Sequence, residues 1–380
     1  KPAPDQHPKV LMLIGNNPLR RQRSGRKNYV EELFPKLDML FAIEPKMSAS
    51  AAFCDIVLPA AWYYEKHDMS MTFGLNPYTA LIEKSVEPPG EAKPEWEIFS
   101  LLMAKISERA VKRGMTSFID RGGKERLYEE LGKRFTLDGY LTTQEDALIE
   151  MVNVAQAIGS FPQGFDYKKF KEVGQVRIHG GVGHSTASEV NPTKPFYSLA
   201  KHLDDKQVYP TYARRAQFYI DHEWFLEAGE AFPTHKDTPP IGGQYPFRIV
   251  SGHVRGSIHS MHAGTPEFLR LHRGQPLLFI NDQVALDKGI KDADMIRMYN
   301  DLDEAVLMAC ISPAVGPDQV VVYMFESWQF KNWKSHDSML IGMPKSLQLA
   351  GDYEQLGFRQ SQGSPSPSND RGLRVDFELA

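Results

Sequence analysis

Cysteine is nearly absent: Cys54 and Cys310 are the only two in 380 residues. They lie far apart inside apolar runs, so buried free thiols are expected rather than a disulfide, and no Cys-x-x-Cys pair can hold a cluster or zinc. Basic excess is also absent. The 44 Lys and Arg against 48 Asp and Glu give a net charge of −4, which argues against a nucleic-acid partner. No apolar run approaches the roughly 18 residues needed to cross a bilayer, so no direct membrane insertion is expected. An initiator methionine and a visible signal peptide are missing as well, which makes the chain a processed product or a fragment of something longer. Metal-ligand spacing is hardly represented. Asp221, His222 and Glu223 adjoin each other without a second ligand pair, so they do not read as a metal site.

What is present is ordinary for a soluble globular chain: 42% apolar and 24% charged residues, enough length for two or three domains and a sizeable core. The run 9–14 is short and apolar and ends in Gly15-Asn-Asn-Pro18, which reads as a buried parallel strand with turn residues at its carboxyl end. Strands at 37–43 and 55–59 follow, with a short helix at 28–35 between the first two. That alternation is half of a doubly wound α/β unit. A helix at 95–113 is expected to close this unit on its sheet.

Two features sit where such sheets bind ligands. Arg20, Arg21, Arg23, Arg26 and Lys27 follow the first strand, either as an anion site or as a solvated basic loop. Glu44 stands at the end of the second strand, followed by Ser48 and Ser50. A carboxylate there can accept hydrogen bonds from a ribose or a base edge, or can simply be solvated.

The aromatic and charged stretch 62–69 reads as a surface loop, and the region from about 114 to 242 carries a helix at 144–158 with Gly159 as its stop. Gly180, Gly181 and Gly183 lack the strand-then-helix setting of a phosphate loop and read as a turn. A proline- and glycine-rich segment at 233–243 marks a boundary. Beyond it, short strands at 245–250, 276–281, 295–300, 304–311 and 319–325 suggest a small barrel. The Ser-, Pro- and Gly-rich tail 361–370 should be extended.

The densest polar chemistry lies in 250–262, directly after the first of these strands. His253, His259, His262, Arg255, Ser257 and Ser260 fall there with Gly252 and Gly256. Glycine permits close backbone approach, Ser and His supply short donors, and Arg supplies a fork for phosphate oxygens. A large phosphate-bearing ligand suits that set; a polar loop with solvated histidines is the alternative.

The Gly15-Asn-Asn-Pro18 turn and the run from Met47 to Met69, which contains Cys54-Asp-Ile-Val-Leu-Pro59 and Trp62-Tyr-Tyr-Glu-Lys66, resemble the third domain of molybdopterin oxidoreductases of the dimethyl sulfoxide reductase family. Within that family the run is most similar to the nitrate reductase branch. Ser257-Ile-His-Ser260 and Ala285-Leu-Asp-Lys-Gly-Ile290 resemble the family's C-terminal domain. The run 215–230 resembles the subgroup holding ethylbenzene and dimethyl sulfide dehydrogenases, selenate, chlorate and perchlorate reductases, and nitrite oxidoreductases.

The resemblance implies an α/β fold: the second half of a Rossmann-like, doubly wound parallel-sheet domain (1–115), a connecting helical and irregular region (116–242), and a C-terminal β-barrel of six to seven strands (243–380) that caps the cofactor. That cofactor is molybdenum held by two molybdopterin guanine dinucleotides. Asn16 and Asn17 would line one dinucleotide, with Glu44, Ser48 and Ser50 at its guanosine end. Arg255, Ser257, His259, Ser260 and His262 would meet pterin and pyrophosphate, and His336 would lie near the other pterin.

The sequence departs from the family pattern at Glu44 (usually Asp), Gln348 (often His, though Gln can still donate a hydrogen bond) and Asp352 (usually Gly). A [4Fe-4S] cluster and the molybdenum ligand are expected in an N-terminal part that this chain lacks, so no catalytic residue is assigned. Implied partners are that N-terminal part, an iron–sulfur electron-transfer subunit and, as a further candidate, a haem-b subunit. The implied location is the periplasm, with the cytoplasmic face of the membrane as the alternative. The implied activity is oxygen-atom transfer or water-dependent hydroxylation. The competing reading is a structural subunit that keeps the fold without cofactor.

Overall fold

The computed structural model describes residues 7–22, 26–71, 78–120, 122–178, 199–211, 213–235, 241–257, 262–340 and 372–380. The chain forms two compact units, Lys1–Val57 with Arg215–Ala380, and Leu58–Arg214. Among the described residues no helix is long and apolar enough to cross a membrane.

The first unit begins with three strands in the order β1 (Val10–Ile14), β2 (Met39–Glu44) and β3 (Ile56–Pro59). β1 and β2 are parallel, with Val10 opposite Met39 and Ile14 opposite Ile43. Their buried face gathers Leu13, Leu40, Ala42 and Ala51, with Phe34, Leu37, Phe53 and Val57 packed around them. Asp55 accepts the Leu40 N–H at 2.7 Å and returns its own N–H to the Leu40 carbonyl at 2.8 Å. An aspartate just before β3 therefore sets that strand's register on β2. The helix expected at 28–35 is a wide-turned segment, Lys27–Leu33, that tightens over Phe34–Lys36. Pro35 explains the change, because it has no N–H to continue a regular ladder.

The second unit is a mixed α/β assembly. β4 (Asp68–Met71), β5 (Tyr78–Ile82) and, beyond a β6 (Ser117–Ile119) and β7 (Glu125–Leu127) hairpin, β8 (Gln175–Arg177) are its strands; β4, β5 and β8 form one sheet. The stretch read as a loop at 62–69 thus turns into a strand at Asp68. Four-residue strands are too short for alternation to be legible. The helix Glu95–Lys112 finds its partners in this unit, with Trp96 stacked on Phe135 at 5.8 Å and Ser107 bonded to the Tyr128 carbonyl at 2.6 Å. The helix Gln144–Ala157 opens on a capping box: Thr143 accepts the Asp146 N–H at 3.1 Å, and the Asp146 carboxylate accepts the Thr143 N–H at 2.9 Å.

The rest of the first unit is a closed barrel of six strands. β9 (Phe247–His253), β10 (Leu277–Ile280), β11 (Met295–Tyr299), β12 (Glu304–Ile311), β13 (Gln319–Met324) and β14 (Arg374–Leu379) close in the order β10-β12-β11-β14-β9-β13. Period-two alternation decides which side chains point in. Ile296 and Met298 of β11 face Leu307 and Ala305 of β12, and Met298 also faces Phe377 of β14. Ile249, Leu278, Ile280, Val320, Val322 and Val375 complete the interior, so the barrel is filled rather than hollow. Five of these strands follow from the sequence pattern. The sixth, β14, lies after the tail, and its alternating Val375 and Phe377 close the barrel between β9 and β11.

Candidate functional site

At the carboxyl ends of β1 and β2 the chain makes two turns, 15–18 and 45–50, and the first unit brings them together. Gly15 has φ +53°, which lets the backbone reverse directly after β1. The Asn16 backbone amide faces the Glu44 carboxylate and favours its charged form. Asn17 is buried; its Oδ1 accepts the Ser50 hydroxyl at 2.6 Å and the Ser50 N–H at 3.3 Å. The Ser50 hydroxyl also accepts the Leu19 N–H at 3.1 Å, and Ser48 caps the second turn by accepting the Ala51 N–H at 3.0 Å. Ser48 and Ser50 therefore brace the two turns against each other. Asn17 Nδ2 is buried without a hydrogen-bond partner.

Glu44 sits at the centre of this edge. Burial pushes its carboxyl up from 4.5 to about 7, with Glu326 adding to the rise while Lys46 and the Asn16 N–H oppose it. Lys46 is itself held below its ordinary value by burial. Near neutrality Glu44 can thus accept a hydrogen bond as a carboxylate or donate one as an acid, a property useful against a base edge or ribose.

Two of the basic residues after β1, Arg20 and Arg26, are turned to the chain's own carbonyls rather than to an open anion site. Arg20 is buried, and its guanidinium donates to the Trp333 carbonyl at 2.6 Å and to the Phe330 carbonyl while lying 4.9 Å over the Trp333 ring. Arg26 donates to the Lys331 carbonyl at 3.2 Å and lies over Phe53. Glu326, fully buried just beyond β13, accepts the Ala49 N–H at 2.5 Å and stands 3.6 Å from Arg20 Nε. Sequence reasoning did not single out Glu326. A carboxylate after the apolar run of β13 is the same signal that marked Glu44, and it could have been found that way.

The other expected site residues fall at the barrel. Arg255 is exposed in the turn that follows β9, with Ser257 half-buried beside it and His262 exposed. His259, Ser260, Gln348 and Asp352 lie outside the described residues, as do Gly180–Gly183 and the tail 361–370. His336 is buried at the start of the turn His336–Met339; its Nε2 is 3.8 Å from Asp337 and its Nδ1 has no partner. His222, considered for a metal, caps the helix Glu223–Glu227 by accepting the Trp224 N–H. The second unit has its own polar cleft of about 420 Å³, lined by Lys66, His67, Lys84, Lys93, Glu97 and Glu145 among others. Its charges cancel locally, with Lys66 on Glu95 and Asp68 and Lys84 on Glu87, so it presents no one sign to a ligand.

The carboxyl ends of parallel strands, here carrying the buried acid Glu44, are where open α/β sheets bind ligands. Comparison with known proteins makes this specific. The molybdopterin oxidoreductase profile matches residues 2–105, and that of the molybdopterin dinucleotide binding domain matches 247–339. The chain belongs to the molybdopterin oxidoreductase family.

It is 34% identical to the respiratory nitrate reductase subunit alpha of Haloferax mediterranei over 98% of this chain and 39% of that protein. It is also 34% identical to the perchlorate reductase subunit alpha of Dechloromonas aromatica over 99% of this chain and 40% of that protein. Dimethylsulfide dehydrogenase subunit alpha of Rhodovulum sulfidophilum is 29% identical over 92% of this chain and 38% of its own length. The chain therefore spans about two fifths of these curated relatives. Among solved structures, acetylene hydratase from Pelobacter acetylenicus shares the fold, with TM-score 0.57 at 14% identity over 98% of this chain and 44% of that one.

The family implies a bound molybdopterin dinucleotide, and the donor set of the first unit fits such a group. It needs acceptors at a guanine edge and donors along a pyrophosphate. Glu44 is an acceptor of the kind required for the former. The unpartnered Asn17 Nδ2, the unpartnered His336 Nδ1 and the exposed Arg255 are of the kind required for the latter.

Proposed function

We propose that this chain is the C-terminal part of the catalytic subunit of a molybdenum-bis(molybdopterin guanine dinucleotide) oxidoreductase that performs oxygen-atom transfer or water-dependent hydroxylation. In this reading the chain binds and caps the cofactor. The bound metal supplies the two-electron change and the oxygen exchange with water. Asn16 and Asn17 line one dinucleotide and Glu44 meets its guanosine end, with Ser48 and Ser50 keeping their turns in place. Arg255, Ser257, His259, Ser260 and His262 grip pterin and pyrophosphate from the barrel side, and His336 and Gln348 approach the other pterin. The observation that carries the reading is the convergence, within one unit, of Asn17 Nδ2, Glu44 and the carboxyl ends of β1 and β2.

Nitrate, perchlorate and dimethyl sulfide reactions of the named relatives support a small oxyanion or sulfide as substrate; nitrite, chlorate, selenate and hydrocarbons remain in the panel to be assayed. The proposed partners are the N-terminal part of the subunit with its [4Fe-4S] cluster and an iron–sulfur subunit that exchanges electrons with it. The proposed location is the periplasm. The test is molybdenum and guanine nucleotide content of the native complex, followed by Arg255→Ala together with His259→Ala. Loss of two charge-assisted contacts should weaken cofactor retention by about tenfold or more. A complex without molybdenum sinks the catalytic reading and leaves the structural-subunit alternative; unchanged retention in the variant removes the barrel-side assignment.

A further inference from the structure

We infer that Arg20 and Glu326 form a buried strut that holds the guanosine-side turns and the His336 turn in one fixed relation, which makes both of them positioning residues for cofactor retention. The inference rests on the dinucleotide reading above and adds residues that reading does not contain.

Each end of the strut is anchored in a different part of the site. One Glu326 carboxylate oxygen accepts the N–H of Ala49, the residue between Ser48 and Ser50. Arg20 starts from the turn that carries Asn16 and Asn17, since its own N–H donates to the Asn17 carbonyl at 3.0 Å. Its two terminal nitrogens then hold the carbonyls of Phe330 and Trp333, and its flat face covers the Trp333 ring. Trp333 lies three residues before His336. Gly264 closes the arrangement from the side of His262: a Cβ there would collide with the Glu326 carbonyl oxygen. The turns bearing Asn17 and Ala49 and the 330–333 segment that leads into His336 thus all meet this one pair, and the turn after His262 packs on the Glu326 backbone.

Stability alone does not account for the pair. A buried ion pair is often no better than well-packed apolar residues of the same volume, and here the two charges do not close into a hydrogen bond, for Arg20 Nε and Glu326 Oε2 are both left without one. What only this pair supplies is direction. Arginine's planar fork can reach two carbonyls and stack at the same time, whereas lysine carries a single ammonium.

The experiment uses the native complex and two forms of its subunit, Arg20→Lys and the double variant Arg20→Met with Glu326→Gln. The double variant removes both charges of the pair together, and glutamine still offers Ala49 an acceptor. Guanine nucleotide loss on dilution is measured together with amide exchange of the 48–53 and 328–338 segments, using the strands β11 and β12 as internal reference. The expected result is nucleotide loss faster by about tenfold or more in both variants, the loss of one or two charge-assisted hydrogen bonds. Exchange should rise in both segments while the reference strands stay unchanged. Nucleotide loss at the native rate in either variant would overturn the inference, as would a rise in exchange spread evenly over the barrel. Wild-type complex that holds no guanine nucleotide removes the dinucleotide reading and this inference with it.

Discussion

Replacing Glu44 with glutamine should flatten the pH dependence of stability in the first unit. The carboxyl is buried at the end of β2 and titrates near 7 in the fold against 4.5 for the free group, chiefly because burial disfavours its charge. Between those two values the folded chain holds a proton that the unfolded chain has released. Stability therefore falls as pH rises across this window. The contribution is complete below about 4.5 and lost above about 7. A displacement of that size corresponds to about 3 kcal/mol at most, since each pH unit is worth about 1.4 kcal/mol. The assay is urea unfolding of the cofactor-free subunit, followed by amide exchange of the 39–51 segment, from about pH 5 to about pH 8. Wild type should lose up to about 3 kcal/mol relative to Glu44→Gln across the range. Cofactor retention should run the other way, because guanosine donors favour the ionised form. Parallel stability profiles for wild type and variant would refute the reasoning.

Two further outcomes follow from packing and burial. Gly264→Ala forces a methyl group against the Glu326 backbone carbonyl, which cannot swing away as a side-chain tip could; a loss of about 1–3 kcal/mol is expected by calorimetry, and an unchanged melting curve would contradict the packing. Burial pushes the Cys54 thiol up to about 11 and raises Cys310 as well. At about pH 8 roughly one Cys54 in a thousand is then thiolate, so iodoacetamide should label Cys54 far more slowly in the native chain than in the denatured one, and equal rates would sink that account.

The barrel was legible because its first five strands are short apolar or alternating runs that end in recognisable turns. β14 was not, because it stands alone after a long polar tail, and only closure between β9 and β11 gives its alternation a purpose. In the α/β part Glu44 could be singled out because a parallel strand's carboxyl end is a known location for ligands, whereas Asn16 and Asn17 followed from the family resemblance. The roles of Ser48 and Ser50 could not, because a hydroxyl that braces a turn and one that meets a ligand look alike in sequence. Arg20 shows the same limit more sharply. Five basic residues in eight positions suggest an anion site, yet the contacts of Arg20 lie more than three hundred residues away in the chain, and no local pattern encodes them.

The unsatisfied atoms of the first unit bear on whether it holds a ligand or only retains the shape of one that does. Asn17 Nδ2 and His336 Nδ1 are buried without hydrogen-bond partners. A buried polar group left unpaired costs about 1–3 kcal/mol. In a chain that served only as scaffold, small apolar replacements would remove that cost at no loss. A polar ligand that completes Asn17 Nδ2, on the sheet edge that carries Glu44, and His336 Nδ1 would offset that cost. On this argument the dinucleotide is part of the unit's stability as well as its function. Removing it should loosen the turns around Asn17 and His336 before it disturbs the barrel, whose core is apolar and complete by itself.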